Sequence, residues 1–317
     1  MYLEKTVYSL LLLATSILLL AVLMYFSIYY EPLTTVLLNY RFNRVLSVVF
    51  TGFILGVIGS YLQACLRNPL VDHYILGIGS GSLFTVYLSI ILFGFNIYVS
   101  SSVAIIGGLT ALFITISIAE TIGGSDTAYV LSGLGVNSLF SGLSILLIYI
   151  VSSKYPLAIH LFIGSFALAS PDHHLLLMIL SIILLSSYFI LVKPLNTLML
   201  GDIYAKQLGF NPRFYRSLTI ILSGSLASIV VSLYGLIGFI GLVSPHISRF
   251  LIKTIDNRLV SPLSGVVSAL LLLLTDDFSR MILSNYIGEI PTGAIVSVFG
   301  APFFLFLILT RFRGRVG

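Results

Sequence analysis

Asp276 and Asp277, with Arg280 close behind, form an acidic pair inside an apolar run of this 317-residue chain. Ionisable groups at membrane depth are costly and usually functional, so the segment TDDFSR first raises proton or ion coupling. Asp276 and Arg280 are also i,i+4 neighbours on a helix, which favours local neutralisation and disfavours a proton-coupled carrier. Five histidines, His73, His160, His173, His174 and His246, could suggest haem or metal handling. Lone histidines at membrane interfaces are more often hydrogen-bonded helix-end residues, and the adjacent His173 and His174 would point apart on a helix, a poor chelate. The single cysteine, Cys65, excludes an intrachain disulfide framework and a Cys-rich metal site. There is no Walker A sequence, no His-Glu-x-x-His, no Gly-x-Ser-x-Gly and no dinucleotide glycine pattern. No catalytic residue, resident metal or bound cofactor is therefore expected, and any ATPase that drives this protein must be another chain.

The elements that hold these residues are hydrophobic. The chain is 58% hydrophobic and 9% charged, with mean hydropathy +1.11, which excludes a soluble globular domain of this length. A spanning helix needs about 20 apolar residues. Ten segments qualify, near 7–29, 45–65, 75–95, 98–119, 128–152, 174–192, 217–235, 237–252, 261–283 and 293–311, the eighth being the weakest. The expected class is an all-α polytopic membrane protein of the cell membrane. Its first segment has no small-residue cleavage site and is read as a retained helix.

Charge orients the bundle. With both termini inside, the inner group is Lys5, Arg67, Lys193, Lys206, Arg213, Arg216, Arg249, Lys253, Arg258, Arg311, Arg313 and Arg315. Only Arg41, Arg44, Lys154 and Arg280 are left outside. The net charge of +5 thus reports an N-in, C-in topology, and no basic stripe with interleaved aromatics points to nucleic acid. Most other acidic residues, among them Glu4, Glu31 and Glu120, fall at helix ends or in loops.

Two polar segments exceed what a connector needs. Leu200 to Ser217, LGDIYAKQLGFNPRFYRS, opens on Gly-Asp, carries Ile203, Tyr204 and Leu208 at helical spacing and stops at Gly209 and Asn-Pro. It predicts a short amphipathic helix on the cytoplasmic face. Its polar face is not strongly basic, which favours docking on a protein over lying in the lipid interface. Ser152 to His174, outside, is Gly/Pro-punctuated and predicts a short re-entrant helix over the external mouth. Glycines spaced at small-xxx-small intervals, such as Gly52 with Gly56, are read as close-packing sites.

Seven motifs in one order then carry a family resemblance. Leu62 to Ser82, LQACLRNPLVDHYILGIGSGS, resembles the RNPLADP…LGISSGA segment of permease subunits in ABC importers for iron-siderophores, haem and vitamin B12. The others are RFNRVL at Arg41, VLSGLGVN at Val130, LGDIYAKQLGF at Leu200, GLIGFIGLVSPHISRFL at Gly235, TDDFSR at Thr275 and EIPTGAIVSVFGAPFFLFLI at Glu289. The resemblance implies a type II ABC importer permease: one transmembrane domain over 1–317, with short cytoplasmic coupling helices at about 199–213. It implies a homodimer, two cytoplasmic ATPase subunits that carry ATP and Mg, and an extracytoplasmic binding protein.

By the same resemblance, Asp202, Ala205, Lys206, Gln207, Leu208, Gly209 and Phe210 couple to the ATPase. Arg41, Arg44 and Arg280 dock acidic residues of the binding protein. The fifth and tenth helices line the pathway, where Ser132 and Asn137 are polar candidates, and Asp126 and Thr127 in the turn before the fifth helix take the gate positions. The chain departs from the family pattern at Asn43, where a proline is usual, in having no tryptophan, and in placing an acid at the gate. The cargo implied is a ferric siderophore, haem or cobalamin. An ion-coupled secondary transporter or channel is the alternative, but it needs an intramembrane coupling charge or filter loop that the sequence does not supply.

Overall fold

The computed structural model describes residues 2–30 and 34–313, with side chains described for 7–30, 34–284, 286 and 288–309. Lys5, Arg311, Arg313 and Arg315, used above to orient the chain, and the acidic Glu4 and Glu31 lie outside the described side chains. Every regular element described is helical. In chain order these are α1 (Tyr2–Tyr29), α2 (Thr35–Cys65), α3 (Ile78–Phe93), α4 (Ile97–Thr121), α5 (Asp126–Lys154) and, after a 3-10 turn at Pro156–Ala158, α6 (Ile159–Ile163). Then come α7 (Pro171–Leu200), α8 (Asp202–Gln207), α9 (Pro212–Tyr234), α10 (Ile240–Ile252) and α11 (Asn257–Asp277). A π-turn over Phe278–Leu283 leads to α12 (Ser284–Ile287) and α13 (Thr292–Arg313).

Eight of the described helices are long and apolar enough to cross a membrane, and two more of the ten expected spans, α3 and α10, are shorter. At 16 and 13 residues they reach about 24 and 20 Å, less than the hydrocarbon core. Irregular backbone completes both crossings, residues 66–77 before α3 and 235–239 before α10. Such backbone is tolerated at membrane depth only when protein covers it. Here the two stretches cover each other: His73 Nε2 lies 3.1 Å from the Ile237 carbonyl oxygen, and Asp72 Oδ1 accepts the Ile75 amide at 2.7 Å.

Helix α2 is the axis of the bundle, packed on α7, α9, α10 and α11, whereas α1 keeps almost its whole length outside the core. Close approach explains the glycines on α2. A Cβ on Gly56 would lie 2.2 Å from the Ser264 carbonyl oxygen, and one on Gly59 2.0 Å from that of Gly241. In lipid, packing of this kind replaces the hydrophobic drive that holds soluble helices together. Gly59→Ala is therefore expected to cost about 1–3 kcal/mol of stability, because two backbones must separate. A lowered thermal midpoint of the detergent-solubilised protein would show it.

Several boundaries differ from expectation. Helix α2 begins ten residues before Val45, capped by the Thr34 side chain, which accepts the Leu37 amide. Arg41 and Arg44 therefore sit within a helix and not on a loop. Helix α7 begins at Pro171 behind the Ser170 cap and runs on through Pro194 to Leu200. The coupling region contains one short helix, α8, because Asn211 already caps α9 and Pro212 is its first residue. The re-entrant segment is present as α6. Its Gly164, at φ +80°, lets the chain turn back against the α9–α10 connection, where a Cβ would meet the Leu236 carbonyl oxygen at 2.1 Å. Ser165 donates its amide to Tyr234, and Gly164 accepts that of Gly293, so the loop is stitched to α9 and α13.

Candidate functional site

Two clusters of charge lie at opposite ends of the bundle, with a helix face uncovered between them. At the outer end Arg44 is 1% exposed, which would be prohibitive for an unpaired cation. It is fully paired. Its Nε and Nη2 donate to the two carboxylate oxygens of Asp276 at 2.9 and 2.7 Å, and its Nη1 reaches Glu289 at 2.7 Å. The same Nη1 donates to the Tyr40 hydroxyl at 3.0 Å, and Thr292 Oγ1 donates to Asp276 at 2.7 Å. One guanidinium thus joins α2, α11, the segment before α13, and α13 itself.

Arg280 makes a second knot. Its Nη2 donates to Asp277 at 2.7 Å and to the hydroxyl and carbonyl of Ser27 on α1. This corrects the expected Asp276–Arg280 pairing. Arg44 already takes both oxygens of Asp276, and the chain past Asp277 widens into a π-turn, so Arg280 turns to Asp277 instead. Arg41 lies with its guanidinium carbon 4.2 Å from the centre of the Tyr30 ring. The structure thus brings Arg41, Arg44 and Arg280 to one end of the bundle, all of them buried. Sequence reading missed Glu289, whose position just before Pro291 and α13 gave no sign of its partner.

At the inner end α8 is held by a smaller network. Arg216 donates to Asp202 at 2.8 Å and to the Cys65 carbonyl at 3.2 Å, and Arg67 lies 3.8 Å from Asp202. Burial pushes the Asp202 carboxyl up, but the Arg216 hydrogen bond and the charges of Arg216, Arg67 and Lys206 outweigh it and hold it below its usual value. Ala205 is the buried residue of α8, its anchor on the bundle. Around it Lys206, Gln207, Leu208 and Gly209 are exposed, Phe210 is half-buried, and Ile203 and Tyr204 are 72% and 58% exposed. Gly209, at φ +83°, makes the turn towards α9.

Between the two ends, α5 carries an uncovered stripe: Thr127, Leu131, Leu134, Ser138, Gly142, Ile145 and Tyr149 are all exposed in the chain. Asp126 is the first residue of α5 and not part of the preceding turn, because Ser125 caps the helix by accepting the Ala128 amide at 3.1 Å. An acid in a first turn is favoured by the helix dipole. The Asp126 carbonyl accepts from Asn68 of the Arg-Asn-Pro loop, and the Tyr129 hydroxyl donates to Glu120, tying α5 to α4. Ser132 is turned into the bundle, and Asn137 is half-buried beside Tyr74.

The histidines are dispersed, and no three His, Cys, Asp or Glu side chains converge among the described residues. His73 and His246 each lie against a backbone carbonyl, and His173 and His174 pack edge-on against Tyr234 and Phe42.

An all-helical bundle of this kind, charged at its ends and apolar along its flanks, is a multi-pass membrane protein. The chain belongs to the FecCD transport family, whose model matches residues 5–310. It is 32% identical over 286 residues to a Helicobacter pylori protein named as an iron chelatin transport system permease, covering 90% of this chain and 85% of the other. It is 31% identical over 280 residues to a Staphylococcus aureus protein named as a heme-iron transport system permease, covering 88% and 84%. A solved structure described as an inward-facing conformation of a metal-chelate type ABC transporter superposes with TM-score 0.77 at 31% identity, covering 94% of this chain and 99% of that one. The protein is therefore an ABC importer permease of the cytoplasmic membrane, not an ion-coupled carrier or channel. Permeases of this family are non-catalytic subunits.

Proposed function

We propose that this chain forms the membrane pathway of an ATP-driven importer for a metal chelate, a ferric siderophore, haem or cobalamin. Two copies would pair, with α5 and α13 of each lining the axis. Two cytoplasmic ATPases would grip α8 and its flanks through Asp202, Ala205, Lys206, Gln207, Leu208, Gly209 and Phe210. An extracytoplasmic binding protein would deliver cargo to the end that holds Arg41, Arg44 and Arg280. ATP and Mg would sit on the ATPase chains, and no cofactor on this one.

The observation that carries this reading is α8. A six-residue helix, pinned by Asp202 to Arg216, carries its apolar side chains outward on the cytoplasmic side, as a lever for a protein partner would. Closure of the ATPases on ATP would move α8, and through the Arg216 contact with Cys65 would load the inner end of α2. Asp126 and Thr127, at the inner start of α5, would then act as the gate. Of the two polar candidates on α5, half-buried Asn137 would offer its amide to a passing chelate, whereas Ser132, turned into the bundle, would not, and selectivity would be left mainly to the binding protein.

Reconstitution in liposomes tests the reading. Uptake of a radiolabelled ferric siderophore, haem or cobalamin is expected only with the ATPase, ATP and binding protein present, and it should survive collapse of the proton gradient. Uptake that continues without any ATPase and stops with the proton gradient would refute it.

A further inference from the structure

Arg44 holds two carboxylates of different character. Asp276 is 0% exposed, bidentate and further fixed by Thr292, so it is a permanent part of the bundle. Glu289 is 37% exposed and meets only the Nη1 edge of the same guanidinium. It belongs to the short connection between α12 and α13, where Gly288 at φ +84° makes the turn and no atom crowds it. A half-exposed carboxylate, on a turn that the Ser279 hydroxyl holds at the Ile290 carbonyl, therefore shares the Nη1 edge of Arg44 with the Tyr40 hydroxyl and is the more exposed of those two acceptors. Nearby, Arg280 has its Nε and Nη1 without a hydrogen-bond partner among the described residues, although it is only 9% exposed. Unmet guanidinium donors in a buried setting are costly and are matched best by a carboxylate.

We propose that Glu289 is a built-in stand-in for a partner's carboxylate, and that an acidic side chain of the docking protein displaces it from Arg44 Nη1. The proposal rests on the docking reading above and changes its content: the arginines are not free cations awaiting a partner, but a charge-balanced set with one exchangeable arm. Exchange keeps Arg44 neutralised throughout, so no buried cation is ever left unpaired. It also releases one of the ties on the turn that leads directly into α13, the other being the Ser279 hydroxyl at the Ile290 carbonyl. Arrival of the partner is thereby felt at a helix whose first residue, Thr292, is bonded to Asp276 of the same cluster. An internal carboxylate that must be displaced lowers affinity for the partner, a repulsive element of the kind that specific interfaces use.

Glu289→Gln tests this, because it keeps the shape of the side chain and removes its charge. The assembled transporter in lipid nanodiscs, titrated against its cognate binding protein on a sensor surface, is expected to bind roughly five- to tenfold more tightly as the variant than as wild type. Unchanged or weaker binding would overturn the exchange. Should Glu289→Gln fail to assemble, Glu289→Asp, a carboxylate one methylene short, is expected to tighten binding to a smaller degree, and no tightening would again overturn it. If the wild-type complex shows no affinity for the binding protein at all, the docking reading itself falls, and the exchange with it.

Discussion

Asp276→Ala is expected to destabilise the protein by about 3–5 kcal/mol, the usual result of stripping one partner from a buried ion pair. Arg44 would lose both short contacts to the carboxylate, and the Thr292 hydroxyl would lose its acceptor. Glu289 and Tyr40 would remain, but they serve only the Nη1 side of the guanidinium. Thermal unfolding in detergent, and the yield of folded protein, would report the loss. Removing both partners together separates the pair's net worth from the penalty of orphaning a charge. Arg44→Met with Asp276→Leu is expected to recover most of the loss, because a buried pair replaced by apolar side chains of similar volume is often neutral or stabilising. Glu289 would then stand alone, but it is half-exposed and water can serve it. Arg44→Lys is expected to resemble the alanine variant more than wild type, since an ammonium cannot span two carboxylate oxygens and a third acceptor in one plane. A double variant as unstable as Asp276→Ala would show that the pair is not what joins α2 to α11.

That cluster also marks where sequence reading stops. Arg41 and Arg44 look like flanking charges, because the positive-inside rule and the cost of buried cations both push them out of a helix. Asp276 and Glu289, more than two hundred residues away in the chain, make the burial of Arg44 tolerable, and no local pattern announces such a match. The error at the start of α2 and the mistaken Asp276–Arg280 pairing have this one cause. Local grammar did better. The Gly201-Asp202 start and Gly209 stop of α8, and the Gly/Pro punctuation around α6, are properties of a few neighbouring residues, and both helices stand where those signals fall. The two short crossings were legible as apolar runs. Their mutual shielding was not, because residues 66–77 and 235–239 are completed by each other. Asp126 reads as part of a turn until the Ser125 cap is seen, and the burial of Ser132 depends on which side of α5 the rest of the bundle covers.

Ile203→Asp combined with Leu208→Asp is expected to abolish ATP-driven uptake while leaving the stability of the permease within about 0.5 kcal/mol. The two side chains are 72% and 61% exposed, so the bundle gains little from them. Ala205, by contrast, is buried beneath α8, and a charge there would lift the helix from its seat. If α8 is the lever an ATPase grips, the exposed apolar pair should lie at the centre of that contact. Truncating such centrally buried anchors commonly costs about 2 kcal/mol or more each, enough to dissociate the complex at working concentrations. The readout is co-purification: the ATPase subunit should be lost from the double variant, and its ATP hydrolysis should no longer respond to the permease. Arg216→Ala should give a milder defect, because it loosens the seat of α8 on Asp202 without removing the surface that is gripped. A lipid-interface role for α8 makes the opposite forecast, since two aspartates would then weaken membrane contact yet leave the ATPase attached. Undiminished co-purification of the ATPase with the double variant would therefore decide against α8 as the coupling element.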